Sequence, residues 1–242
     1  HLTDPAGLEA AFWRPDSRDW KIALFSRQVP MILEGLGVPF VNSLASCDRA
    51  FNKLVTSHLF VEAGVPTPTI QLMPQHWDDG DTSELPSGPV IVKPIEGKAG
   101  EGVGLFPSAD EALSQLGDTA ECYLLQRPID WTQSLRLIVT TQGVVRGFLQ
   151  PNPSGRAEPT ITRIEGDWPL PAKEIPDDAE RLAMTMLSAV GGDFMRADLL
   201  RDASGKLWAL EINSSFGFPH DDAVIVKEFS HQLRLAAARR TA

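Results

Sequence analysis

Hydrophobic positions along this chain alternate between helical spacing and short strand-like runs. Phe51, Leu54, Val55, Leu59 and Val61 mostly share one face of a helix predicted from an Asp48 cap to Ala63, with Gly64 as its stop. Val65-Pro66-Thr67-Pro68 then forces an extended exit, because proline fixes φ and restricts its predecessor. Residues 26–36 predict a helix interrupted at Pro30, and Val38–Asn42 a short strand. Val90–Lys93 predicts a strand with Val103–Phe106 as its hairpin partner, and Ser108 with Glu111 a capping box for a helix ending near Gly117. Tyr123–Gln126 is another strand. Leu135–Thr141 and Val144–Leu149 flank a turn at Gln142-Gly143. Residues 178–190 form a helix ended by Gly191-Gly192. Strands around Asp198 and Glu211 are joined by Asp202-Ala203-Ser204-Gly205, and a last amphipathic helix covers roughly 223–240, with Arg239 and Arg240 at its negative end. Residues 74–88 and 150–177 are rich in proline and polar residues and predict a surface loop and a long irregular excursion.

Composition narrows the function classes. The 242 residues suffice for one large domain or two smaller lobes. Acidic residues outnumber basic ones 32 to 22, a charge of −10, which argues against broad nucleic-acid binding but admits a basic pocket for one small anion. Cys47 and Cys122 lie outside metal or redox spacing and read as small buried hydrophobes. With no disulfide framework the expected setting is a reducing cytoplasm, and no apolar run or signal peptide suggests a membrane.

Two stretches carry candidate chemistry. Gly97, Gly100, Gly102 and Gly104 follow the Val90–Lys93 strand, and such glycines let backbone N–H groups approach phosphate oxygens. Lys93 can reach the same anion as a point charge. The lysine precedes the glycines and a strand follows them, so neither a Walker loop nor a dinucleotide fingerprint fits. A glycine-rich turn beside a surface lysine is the plain alternative. Further on, Glu211 and Asn213 stand two apart on a strand and share a face, and Asp198 on the preceding strand can join them. Hard oxygen donors of this kind suit magnesium. A solvated strand face is the alternative, but Leu207–Leu210 and Ile212 read as buried, where a carboxylate needs a partner.

In order, Asn52-Lys53, Gly64 to Thr69, Val92 to Gly104, Leu124 to Gln126, Leu135 to Val139, and Asp198 with Glu211-Ile212-Asn213 resemble the ATP-grasp superfamily over roughly residues 35–220. Within it they resemble ribosomal protein S6 glutamate ligase (RimK-like) and LysX-like carboxylate–amine ligases. The resemblance implies an α+β fold, two α/β lobes gripping ATP. Its expected division is a short or partial pre-ATP-grasp region at 1–46, an N-terminal lobe with the glycine loop at 47–122, and a C-terminal lobe with the metal site at 123–242. It implies Lys53, Lys93, Gly97, Gly100, Gly102 and Val103 on the phosphates, and Gln126, Arg127 and Ile129 at a hinge that meets adenine. It implies Asp198, Glu211 and Asn213 on Mg2+ or Mn2+, and Arg136 with Lys93 as catalytic residues near the reacting phosphoryl group.

Ser134 stands where the family usually has an acidic residue, and Arg127-Pro128 where it usually has an acid and an aromatic. The expected reaction joins a small-molecule or peptide carboxylate to an amine through an acylphosphate, releasing ADP. The rivals are a kinase acting on a hydroxyl and a protein that binds ATP without turnover. A homo-oligomer fits the resemblance as well. Arg156 and Arg163 are candidates to meet a substrate carboxylate or are plain surface residues. His220-Asp221-Asp222 reads as a turn opening the last helix, with an acceptor-site role as the alternative. Trp131, Trp168 and Trp208 read as packing residues.

Overall fold

Residue Asn52 divides what the sequence reads as one helix. Its backbone leaves the helical region (φ −90, ψ 108), and its side chain accepts the N–H groups of Leu54 and Val55, so it ends one helix and caps the next. Asn52 also bridges to Glu96, a contact the local pattern could not reveal.

The computed structural model describes residues 7–13, 20–72, 87–97, 100–117, 123–156, 168–217 and 222–239. The chain runs β1 (Ala11–Phe12), α1 (Trp20–Gly35), β2 (Phe40–Val41), α2 (Leu44–Phe51), α3 (Lys53–Glu62), β3 (Ile70–Leu72), β4 (Val90–Pro94), β5 (Gly104–Phe106), α4 (Ala109–Leu116), β6 (Tyr123–Gln126), β7 (Trp131–Thr140), β8 (Gly143–Pro151), β9 (Trp168–Pro171), α5 (Asp177–Val190), β10 (Phe194–Asp202), β11 (Leu207–Asn213) and α6 (Ala223–Arg239). Ser43, not Asp48, caps α2, and α1 continues through Pro30. Val55 and Val61 are exposed, while Thr56 and Phe60 face the core, because the break at Asn52 resets the helical phase. The excursion at 150–177 includes β9, on which Trp168 is exposed rather than packed. Trp131 is buried, as expected. Cys122, Arg163, His220 and Asp221 lie outside the described residues.

Two antiparallel sheets frame the cleft. The smaller has the order β3-β6-β4-β5, the larger β11-β10-β7-β8-β9. Val90, Val92 and Leu125 of the small sheet pack on Ala109 and Ala112 of α4. Leu135, Leu137, Ala197, Leu199, Ala209 and Ile212 of the large sheet pack on Ala183, Met186 and Leu187 of α5. Part of the opposite face is covered by α6 and the N-terminal strands. There Phe12 meets Phe229 edge-on at 4.9 Å between centroids, and Phe194, Phe216 and Ile225 complete the cluster. The connection after α3 seals the edge of β11: Ala209 N–H donates to Pro66 O at 2.7 Å, and Thr67 Oγ1 to Ala209 O at 3.1 Å.

Candidate active site

Strand alternation aims the candidate side chains at one cleft. Because Val90 and Val92 face α4, Lys93 points away from it. Because Ala197, Leu199, Ala209 and Ile212 face α5, Arg196, Asp198, Glu211 and Asn213 point to the opposite side. A β-bulge between Asp198 and Leu199 keeps Asp198 directly across from Glu211. Lys53 opens α3 and its backbone N–H donates to Ile95 O at 3.0 Å, which holds the lysine against the glycine loop. An open cleft is lined by Lys53, Gly97, Glu211, Asn213, Ser214 and Ser215.

The charges in the cleft depend on one another. Asn213 Nδ2 donates to Asp198 Oδ2 at 3.2 Å and to Glu211 Oε1 at 3.1 Å, so three of the candidate side chains form one cluster. Arg196 forks onto both oxygens of Asp198 at 2.8 Å, with both side chains buried. Burial pushes the Asp198 carboxyl up to about 6, against the pull of Arg196 and with the Glu211 charge adding to the rise. Burial works the same way on Glu211, but the ammonium groups of Lys53 and Lys93, the Asn213 bond and Arg196 outweigh it and hold that carboxyl low. Desolvation lowers Lys93 to about 8, opposed by Glu211 and assisted by Lys53. It lowers Lys53 as well, opposed by Glu211 and Glu96. Lys53 Nζ donates to Gly97 O at 3.2 Å.

The donor set fits a hard divalent cation. Among the described residues no three of His, Cys, Asp and Glu come together, so two carboxylates and the Asn213 amide are the available oxygens. Such a sparse set suits magnesium, which takes remaining ligands from water and phosphate. The Asn213 amide turns its NH2 group to both carboxylates, and the amide rotation that exchanges Nδ2 with Oδ1 would bring its oxygen to a cation held there.

Lys53, Lys93, Asp198, Glu211 and Asn213 therefore come together. Arg136 lies directly across from Asp198 on β7, 2 % exposed. Gly100 and Gly102 adopt φ of +72 and +73, and Val103 N–H closes a turn onto Gly100 O at 3.2 Å. Gln126 pairs with Ile91, two positions along the ladder from the Lys93 pair, and ends β6. Arg127 N–H donates to Thr69 O at 3.2 Å, and Ile129 follows in the crossing to β7. Residues 126–129 thus lie where β6 of the small sheet passes to β7 of the large one, outside the carboxylate cluster. Asp222 caps α6 through Val224 and Ile225 N–H and pairs bidentately with Arg146 at 2.7 and 3.0 Å, so this residue of the three opens the helix. Arg196 was not among the expected residues. Its signal was present: a base two positions before a candidate acid on a strand shares that acid's face.

A family model described as the RimK-like ATP-grasp domain matches residues 50–233. A D-alanine–D-alanine ligase of Marinomonas sp. (strain MWYL1) is 26% identical over 203 residues, covering 78% of this chain and 63% of the relative. A protein named probable alpha-L-glutamate ligase of Parasynechococcus marenigrum (strain WH8102) is 27% identical over 190 residues, covering 76% of this chain and 40% of the relative. The chain thus spans less than two thirds of either relative's length. The crystal structure of D-alanine–D-alanine ligase from Bacillus anthracis complexed with ATP superposes with a TM-score of 0.67 at 15% identity, covering 88% of this chain and 75% of that one.

Proposed function

Because the chain belongs to the RimK-like ATP-grasp family, we propose that it is an ATP-dependent carboxylate–amine ligase. The observation that carries this reading is the cleft itself: Lys53 and Lys93 from one side confront Glu211 and Asp198 from the other. In the proposed reaction a carboxylate oxygen of the acid attacks the γ-phosphorus of ATP. The bond to the β,γ-bridging oxygen breaks and ADP leaves. The amine nitrogen then attacks the acyl carbon, phosphate departs and the nitrogen gives up a proton. Lys53 and Lys93 bind phosphate oxygens, and the N–H groups of Gly97, Gly100, Gly102 and Val103 close over them. Residues 126–129 receive adenine, and Arg136 faces the transferred phosphoryl group. Arg196 holds Asp198 in place through its fork. Asp198, Glu211 and Asn213 would hold magnesium or manganese, which would neutralise phosphate charge when bound. The expected acids and amines are small molecules or peptides, and the reading places the protein in the cytoplasm.

Isothermal titration with Mg–ATP, followed by ADP release across a panel of acids and amines, tests the proposal. Binding that Glu211→Ala weakens at least tenfold, with ADP release requiring both an acid and an amine, supports it. A stable phosphorylated alcohol would identify a kinase instead, and binding without turnover across the panel a nucleotide-binding protein.

A further inference from the structure

We infer that Gln150 is a positioning residue for Arg136, an inference that rests on the ligase reading above. A guanidinium on a long side chain carries five donors, and its direction is set by the acceptors around it. Arg136 sits on β7 with Asp198 opposite on β10 and Phe148 opposite on β8. Gln150 is two residues beyond Phe148 on the same face, within diagonal reach of a long side chain. Its Oε1 accepts from Arg136 Nη2 at 3.2 Å. The carboxylates lie on the β10 and β11 side of Arg136, so this contact steadies the guanidinium from the opposite strand.

Gln150 stands on an anchored strand end. It lies across from Ser134, which is buried, and just beyond it Asn152 N–H donates to Thr132 O at 2.8 Å. Asn152 Nδ2 donates to Trp131 O at 2.9 Å, and its Oδ1 accepts Ser154 N–H at 3.1 Å. A side chain held at its base in this way can fix another without touching substrate itself. The functional consequence falls on the phosphoryl group in flight rather than on bound nucleotide, since Arg136 stands across from Asp198.

The test compares ADP–Mg binding with binding of ADP–Mg plus aluminium fluoride, a mimic of the transferring phosphoryl group. It uses the wild type, Q150M and Q150E, with urea midpoints measured in parallel. Q150M keeps the volume and removes the acceptor. Its fluoride-dependent gain in affinity is expected to fall about tenfold, or ~1.4 kcal/mol, while its ADP affinity and urea midpoint stay at the wild-type level. Q150E restores an acceptor and should return to within about threefold of wild type. In an R136M background Q150M should have no further effect, which assigns the loss to the pair. An unchanged fluoride-dependent gain in Q150M overturns the inference. So does an equal loss with ADP alone, which would mark a purely structural role, or a wild type that binds ADP without any fluoride gain. A wild type that binds no ADP overturns the ligase reading itself and this inference with it.

Discussion

Asn42 ties the N-terminal strands to the large sheet, and its removal should be costly. It is fully buried and left-handed, with φ of +61. Its Oδ1 accepts the N–H groups of Asp193 and Phe194, both at 2.9 Å, and its Nδ2 donates to Phe194 O at 2.7 Å. Its own N–H donates to Asp193 Oδ2 at 3.0 Å. Asn42→Ala strips the partners from those backbone groups, each loss costing ~1–3 kcal/mol when buried. Alanine also carries a left-handed penalty of about 1 kcal/mol that asparagine largely escapes and glycine does not have. The expected loss is therefore about 4–10 kcal/mol, a large share of a domain stability of roughly 5–15 kcal/mol. Asn42→Gly removes the same bonds without the backbone penalty and should be less damaging by about 1 kcal/mol. Asn42→Asp keeps the acceptor oxygens, loses the donor to Phe194 O and brings a carboxylate toward Asp193, so it should fall between wild type and glycine. Urea unfolding followed by circular dichroism at 25 °C measures the series. An alanine variant within about 1 kcal/mol of wild type, or a glycine variant less stable than alanine, refutes the reasoning.

The remaining predictions concern charge. Lys93→Met should weaken Mg–ATP binding about a hundredfold, ~3 kcal/mol for a lost charge-assisted contact, by calorimetry; an unchanged affinity would remove Lys93 from the phosphate site. Since Lys93 titrates near 8 and binds anions only as the ammonium, wild-type ATP affinity should fall as pH rises through 8, and K93M should lack that limb in titrations from pH 6.5 to 9.5. Asp222 has its carboxyl lowered, first by the Arg146 hydrogen bond, against a smaller burial effect. A lowered carboxyl stabilises the fold above its unfolded pKa, and that stability disappears as pH falls through the folded value. Asp222→Asn should thus cost about 1–2 kcal/mol at pH 7 and progressively less toward pH 3, read as urea midpoints; an equal cost at both pH values would contradict the pair's role.

Much of the site was legible in the chain because its chemistry is local. Two-residue alternation placed Glu211 and Asn213 on one face, and the Ser108 cap, the Gly191 stop and the strands around Lys93 follow from residues within a few positions of each other. The same alternation carried the sign of Arg196 beside Asp198, but only the folded sheet showed the arginine fork taking both carboxylate oxygens. Other features depended on partners that local pattern does not register. Asn52 breaks a good helical sequence where Glu96, 44 positions further along the chain, bridges to it. Asn42 extends a short strand into a clasp because Phe194 lies 152 residues away along the chain. Arg146 finds Asp222 across 76 residues. Short-range sterics and periodicity act within a few residues and are written directly in the sequence, whereas desolvation and paired charge exist only once distant segments are packed together. The sequence by itself therefore determined most of the elements and the candidate donors, and tertiary packing decided how those donors are held and what their charges do to one another.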